Sequence, residues 1–94
     1  MRTEDILTES RQIWGPGHVG LLGIIVRLGK VFGDICRYAR DELPTDAPNE
    51  AELKKEMGNL IVSGVKWCDD LGFDPEECIE IALEAQRAYV RKMR

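Results

Sequence analysis

The stretch LKKEMGNLIVSGVKWCDDLGFDPEE, residues 53–77, encodes one helix, its stop and the start of the next. Leu53, Met57, Leu60, Ile61, Gly64, Val65, Cys68 and Leu71 recur at three and four residues, which sets them on one stripe of an α-helix predicted over about 50–71. Gly72 follows the last apolar residue, the position where a glycine ends helices. Asp74-Pro75-Glu76-Glu77 then opens another helix. Asp74 can cap it, Pro75 suits the first helical position because no N–H is needed there, and the carboxylates face the positive end of the dipole. Within the first of these helices Glu56 and Asn59 stand three apart and project side by side, which is how a bundle offers oxygen ligands to a hard divalent cation.

Working toward the N-terminus, ELPTDAPN (42–49) is a polar loop punctuated by Pro44 and Pro48, with Asn49 placed to cap the helix that follows. Before it a long helix is predicted from about His18 to Asp41, carrying Leu21, Leu22, Ile25, Leu28, Phe32, Ile35, Cys36 and Ala39. Its early turns are apolar on more than one face, which predicts burial between several helices or in a subunit interface. Gly29 and Gly33, four apart, would admit a close neighbouring backbone. A short helix over about Thr3–Ile13, with Thr3 as its cap, is stopped by Gly15-Pro16-Gly17. The last helix extends to about Lys92 and closes on Arg91, Lys92 and Arg94, cations that suit a helix C-terminus. No alternating run long enough for a strand occurs. The expectation is an all-α bundle of about four helices, one domain spanning 1–94, joined by short connections and packed antiparallel.

Ninety-four residues predict burial of roughly two thirds of the unfolded chain's surface. A net charge of −4 argues against nucleic acid, whose phosphates call for clustered Lys and Arg. The longest apolar run, Val19–Val26, is far below the roughly 20 residues of a membrane span. MRTEDILTES carries acids where a signal peptide needs a basic then apolar stretch, so a cytoplasmic location is expected. Cys36, Cys68 and Cys78 have no zinc-type spacing and occupy apolar helix positions, which predicts small buried hydrophobes.

The order Glu56-Met57-Gly58-Asn59-Leu60, an apolar helix, then Cys68-Asp69-Asp70-Leu71-Gly72-Phe73-Asp74-Pro75-Glu76-Glu77 resembles the second half of the MazG-like nucleotide pyrophosphohydrolases. Members carry Glu-Leu-Gly-Asp-Leu followed by Ala-Asp-x-Leu-Gly-Ile-Asp-x-Glu-Glu, and the likeness covers about Glu52 to Tyr89. Arg11-Gln12-Ile13-Trp14-Gly15 is similar to the Arg-Gln-x-x-x-Trp-Gly opening of small members, with a shorter spacing. The resemblance implies an all-α bundle completed by homo-oligomerisation that converts nucleoside triphosphates to monophosphates and pyrophosphate with Mg²⁺. Carboxylates on two helices would hold the ions.

The chain departs from that pattern. The family's Glu-Glu-x-x-Glu aligns on Lys30-Val31-Phe32-Gly33-Asp34, leaving Asp34 alone as an acid, and Glu-x-x-Asp aligns on Glu56 and Asn59. The implied metal set is therefore Asp34, Glu56, Asn59 and Asp69, with Asp70 as a further carboxylate. Lys30 sets a positive charge against a cation. Lys-Asn of the family's last helix falls on Ala85 and Gln86, a loss that Arg87 or Arg91 would offset, so the nucleotide-facing candidates are Lys30, Gln86, Arg87 and Trp67. The expectation is a pyrophosphohydrolase-like protein with a depleted Mg²⁺ site and weak, altered or lost activity, the alternative being a non-catalytic interaction or regulatory bundle.

Other features have plainer readings. Gly15-Pro16-Gly17-His18-Val19-Gly20 matches Gly-x-Gly-x-x-Gly but follows no strand, so it reads as a turn. His18 reads as a surface or turn histidine. Trp14 and Trp67 could stack on a base, and as large apolar residues they are expected in the core or an interface. Asp69 and Asp70 read as exposed charges at a helix end.

Overall fold

The computed structural model describes residues 1–94 as four helices and no strand: α1 (Thr3–Trp14), α2 (Leu21–Asp41), α3 (Glu50–Asp70) and α4 (Pro75–Met93). The punctuation of the sequence explains the boundaries. Asn49 Oδ1 accepts from the Glu52 amide at 3.3 Å and starts α3. Asp74 Oδ1 accepts from the Glu76 amide at 3.2 Å and starts α4. Gly72, at φ +82°, takes the left-handed conformation between them, and the Phe73 amide donates back to the Cys68 carbonyl at 2.9 Å.

Two expected starts shift. The cap of α1 is Arg2 rather than Thr3, because Asp5 reaches back to accept from the Arg2 amide at 2.9 Å. Helix α2 begins at Leu21 rather than near His18: Gly20 is extended, with φ −76° and ψ 170°, and its carbonyl receives the Ile24 amide. No helix is long and apolar enough to cross a membrane.

Helix α3 is the hub. Both α1 and α2 pack along it, and α4 meets it at the Gly72 turn. The buried hydrophobic core is small, Ile24, Tyr38 and Val65, and Ser10, Glu56 and Lys66 are buried as well. The predicted stripe of α3 is thus only partly covered: Val65 is inside, whereas Met57 and Ile61 face out because no further helix lies over them. On α2, Leu22 is 81% and Phe32 65% exposed. Nothing lies within 4 Å of a Cβ built at Gly29 or Gly33, so no neighbouring backbone in the chain uses their smallness.

Other expectations are corrected here. Cys36 is exposed because the outer face of α2 has no neighbour, and Cys68 and Cys78 are half-buried beside each other where α3 meets α4. Trp14 is 79% exposed rather than a core anchor, since α1 ends at the bundle's rim. The accessible surface of 7344 Å² is about half of the roughly 15,400 Å² that an unfolded chain of this mass exposes, short of the expected two thirds.

Candidate functional site

Packing of α2 on α3, with the end of α1 beside them, leaves a cavity of about 620 Å³. Lys30, Val31 and Asp34 contribute from α2, and Asn59, Ser63, Lys66, Trp67 and Asp70 from α3. Ser10 and Trp14 close it from α1, and His18 from the connection that follows. Four of the residues singled out by sequence, Lys30, Asp34, Asn59 and Trp67, therefore line one space. Gln86 and Arg87 do not. They border a separate, shallower depression on α4 with Arg91 and Arg94. Glu56 and Asp69 lie outside the lining as well.

Charged groups around the cavity are mostly matched. Lys30 Nζ stands 3.3 Å from Asp34 Oδ2, and Arg37 binds the other oxygen of the same carboxylate. Lys66 pairs with Asp70 one turn along α3, with side chains only 9% and 1% exposed. His18 Nδ1 lies 3.2 Å from the same Asp70 oxygen. Burial pushes the Asp70 carboxyl up, but hydrogen bonding to Lys66 and His18 outweighs it and holds the group below its ordinary value. Arg11 on α1 donates to Asp69 Oδ1 at 2.9 Å. Asp69 and Asp70 are thus ties between elements rather than solvated charges.

Sequence reasoning missed Arg27, Lys66 and Ser10 as parts of this site. A signal existed for Arg27, three residues before Lys30 and so on the same face of α2. For Lys66 and Asp70 the i, i+4 spacing was legible, but charged residues are ordinarily solvated and nothing local announced their burial.

A resident Mg²⁺ needs several oxygens converging on one point. The carboxylate of Asp34 is taken by two cations, and Asp69 is held by Arg11. The only three His, Cys, Asp or Glu side chains whose ligand atoms lie within 4.8 Å of one another are His18, Asp69 and Asp70, and Asp70 is already bound to Lys66. Glu56 is 4% exposed, its Oε1 is 3.5 Å from Lys55, and its Oε2 is buried without a partner. Asp69 Oδ2 is a second such oxygen. Neither residue lines the cavity with Asp34 and Asn59, and Asp34, Glu56 and Asp69 do not bring ligand atoms within 4.8 Å of one another, so the donor set does not fit Mg²⁺. The cysteines offer no alternative: burial, then the neighbouring Cys78, pushes the Cys68 thiol up, away from the reactive thiolate.

Comparison with protein-family models, with curated proteins and with solved structures found no match to this chain.

Proposed function

We propose that this chain is a MazG-like, nucleotide pyrophosphohydrolase-related bundle that keeps a nucleoside phosphate cleft and has weakened or lost Mg²⁺-dependent hydrolysis. One observation carries the reading: four of the five residues aligned with the two metal motifs, Lys30, Val31 and Asp34 on α2 and Asn59 on α3, line the same cavity across a helix pair, and Glu56 alone lies outside it. The opening motif supports it too, since Arg11 reaches Asp69 and Trp14 lines the cavity. Depletion of the chemistry follows from the replacements. An ammonium, a valine and an amide stand where three carboxylates would neutralise the metal, and the surviving Asp34 is spent on Lys30 and Arg37.

Pyrophosphate release from a panel of NTPs and dNTPs with Mg²⁺ or Mn²⁺ tests this. The expected turnover is far below the usual enzyme range of about 1–10³ s⁻¹, and a value inside that range overturns the depleted-site reading. The second reading, a non-catalytic interaction or regulatory bundle, is favoured by the ion-paired state of Asp34 and Asp69. It prevails when no nucleotide binds or alters the melting temperature.

The reading includes assembly with a second copy. A compact monomer of 10.6 kDa exposes about 5,500 Å², well under the observed 7344 Å². The radius of gyration of 15.8 Å likewise exceeds the about 12 Å of a compact chain of this length. The excess of about 1,900 Å² is comparable to what each subunit of an obligate homodimer covers. Leu22, Ile25, Gly29, Phe32 and Cys36 supply a seam for it, spaced three and four apart and all exposed. Sizing by light scattering should give a dimer or larger, and a strict monomer at micromolar concentration overturns the assembly.

A further inference from the structure

The cations of the α1–α2–α3 cleft are arranged for a different task from holding a metal. The lining includes Arg27, Lys30 and Lys66 against Asp34 and Asp70, an excess of one positive charge before His18 is counted, in a chain whose net charge is −4. Lys66 is consumed by Asp70. Lys30 is not consumed in the same way, because Asp34 divides its charge between Lys30 and Arg37 and the Lys30 side chain is 79% exposed.

Arg27 is freer still. Its one hydrogen bond runs from Nη1 to the Gly23 carbonyl at 3.1 Å, and it forms no ion pair. Most of its donor fork remains available, in the geometry that suits phosphate oxygens. Arg27 and Lys30 share a face of α2, three residues apart.

The rest of the lining fits the remainder of a nucleotide. Both tryptophans of the chain, Trp14 and Trp67, border the cavity, and indole faces stack on bases. Asn59 and Ser63 on α3 add donors and acceptors for sugar or base. The volume of about 620 Å³ is in the range of small-molecule sites, about 300–1,000 Å³.

We propose that the cleft binds a nucleoside di- or triphosphate directly through Arg27 and Lys30, with its base against the tryptophans and without a divalent cation. The proposal rests on the reading of this cleft as a nucleotide site and reverses its metal dependence. A cation bridge is redundant where the protein supplies the positive charge, and Mg²⁺ that complexes the phosphates competes with Arg27 and Lys30 for them.

The test is a titration of the full chain with ATP, GTP, CTP and UTP, followed by tryptophan fluorescence and calorimetry in EDTA and again in excess Mg²⁺. At least one triphosphate is expected to bind in EDTA and to bind at least threefold more weakly with Mg²⁺. Its nucleoside is expected to bind at least tenfold more weakly than the triphosphate, and equal affinities overturn the phosphate role. Arg27→Gln should weaken the triphosphate at least tenfold, whereas Lys54→Gln, which removes an exposed cation outside the cleft, should leave it unchanged. Equal losses in the two variants overturn the site. Binding that requires Mg²⁺ overturns the direct contact and leaves the nucleotide cleft standing, and no binding in either condition overturns both.

Discussion

Helix α3 and the outer faces of α2 and α4 differ in what lies across from them. Toward the C-terminus of α3, α1, α2 and the Gly15–Gly20 connection converge, and the charged side chains there are paired, Lys66 and His18 with Asp70 and Arg11 with Asp69, leaving only Asp69 Oδ2 without a partner. The outer face of α2 and the length of α4 present Leu22, Phe32, Ile81 and Tyr89 to solvent with nothing across from them. The first region is closed by its own chain, and the second is left uncovered by it. This contrast separates the surface that the chain covers itself from the surface on which the proposed assembly rests, because exposed apolar surface of this extent is ordinarily covered.

The largest effect should come from the open region. Ile25→Glu with Phe32→Glu puts charges into the seam, and fully burying each apolar side chain is worth about 1.5–3 kcal/mol. Together they should weaken association by about 3–6 kcal/mol per subunit and leave a monomer by sedimentation velocity. An unchanged sedimentation coefficient would move the contact from α2 to another face.

The closed region should respond next, and differently. Asp70→Leu leaves the buried Lys66 ammonium uncompensated and should cost about 3–5 kcal/mol in denaturant melts, whereas adding Lys66→Met should recover most of it. The folded Asp70 carboxyl lies below its ordinary value of 3.8, so its stabilisation is present above that value and is lost as pH falls below it. Wild-type stability should therefore drop below about pH 4, by an amount that shrinks in the Lys66→Met, Asp70→Leu pair. An acid profile identical in both would assign the loss to other carboxylates.

A smaller effect would convert one cleft chemistry into another. Lys30→Glu, Val31→Glu and Asn59→Asp together should tighten Mg²⁺ binding at least tenfold by calorimetry, about 1.4 kcal/mol. No gain would show that residues 30–34 are misaligned with the first metal motif.

The elements of this fold were legible because their ends are written in local chemistry. Asn49 and Asp74 cap, Gly72 reverses the chain and Pro75 fits a first turn, all within a few residues of the backbone groups they serve. The α2 start falls three residues later than the apolar pattern predicts because Gly20 is extended, so the helix opens at Leu21 although that pattern begins at Val19. The expected metal set of Asp34, Glu56, Asn59 and Asp69 and the expected nucleotide set of Lys30, Gln86, Arg87 and Trp67, both implied by the family likeness, each divide, with Lys30, Asp34, Asn59 and Trp67 lining the cavity. Gln86 and Arg87 could not be placed, because the direction in which α4 leaves the Gly72 turn is set by packing rather than by the turn's own residues. Nor could the buried Lys66–Asp70 pair, whose environment is made by α1 and the connection from distant parts of the chain.

The uncovered seam on α2 has a consequence in mass action. When the surface that completes a fold belongs to another molecule, folding becomes second order, and each tenfold dilution removes about 1.4 kcal/mol per dimer from its stability. The same α2 helix carries Arg27 and Lys30 on its cleft side. The fraction of chains with an ordered cleft would then rise with the abundance of the protein, so that expression level itself acts as the switch.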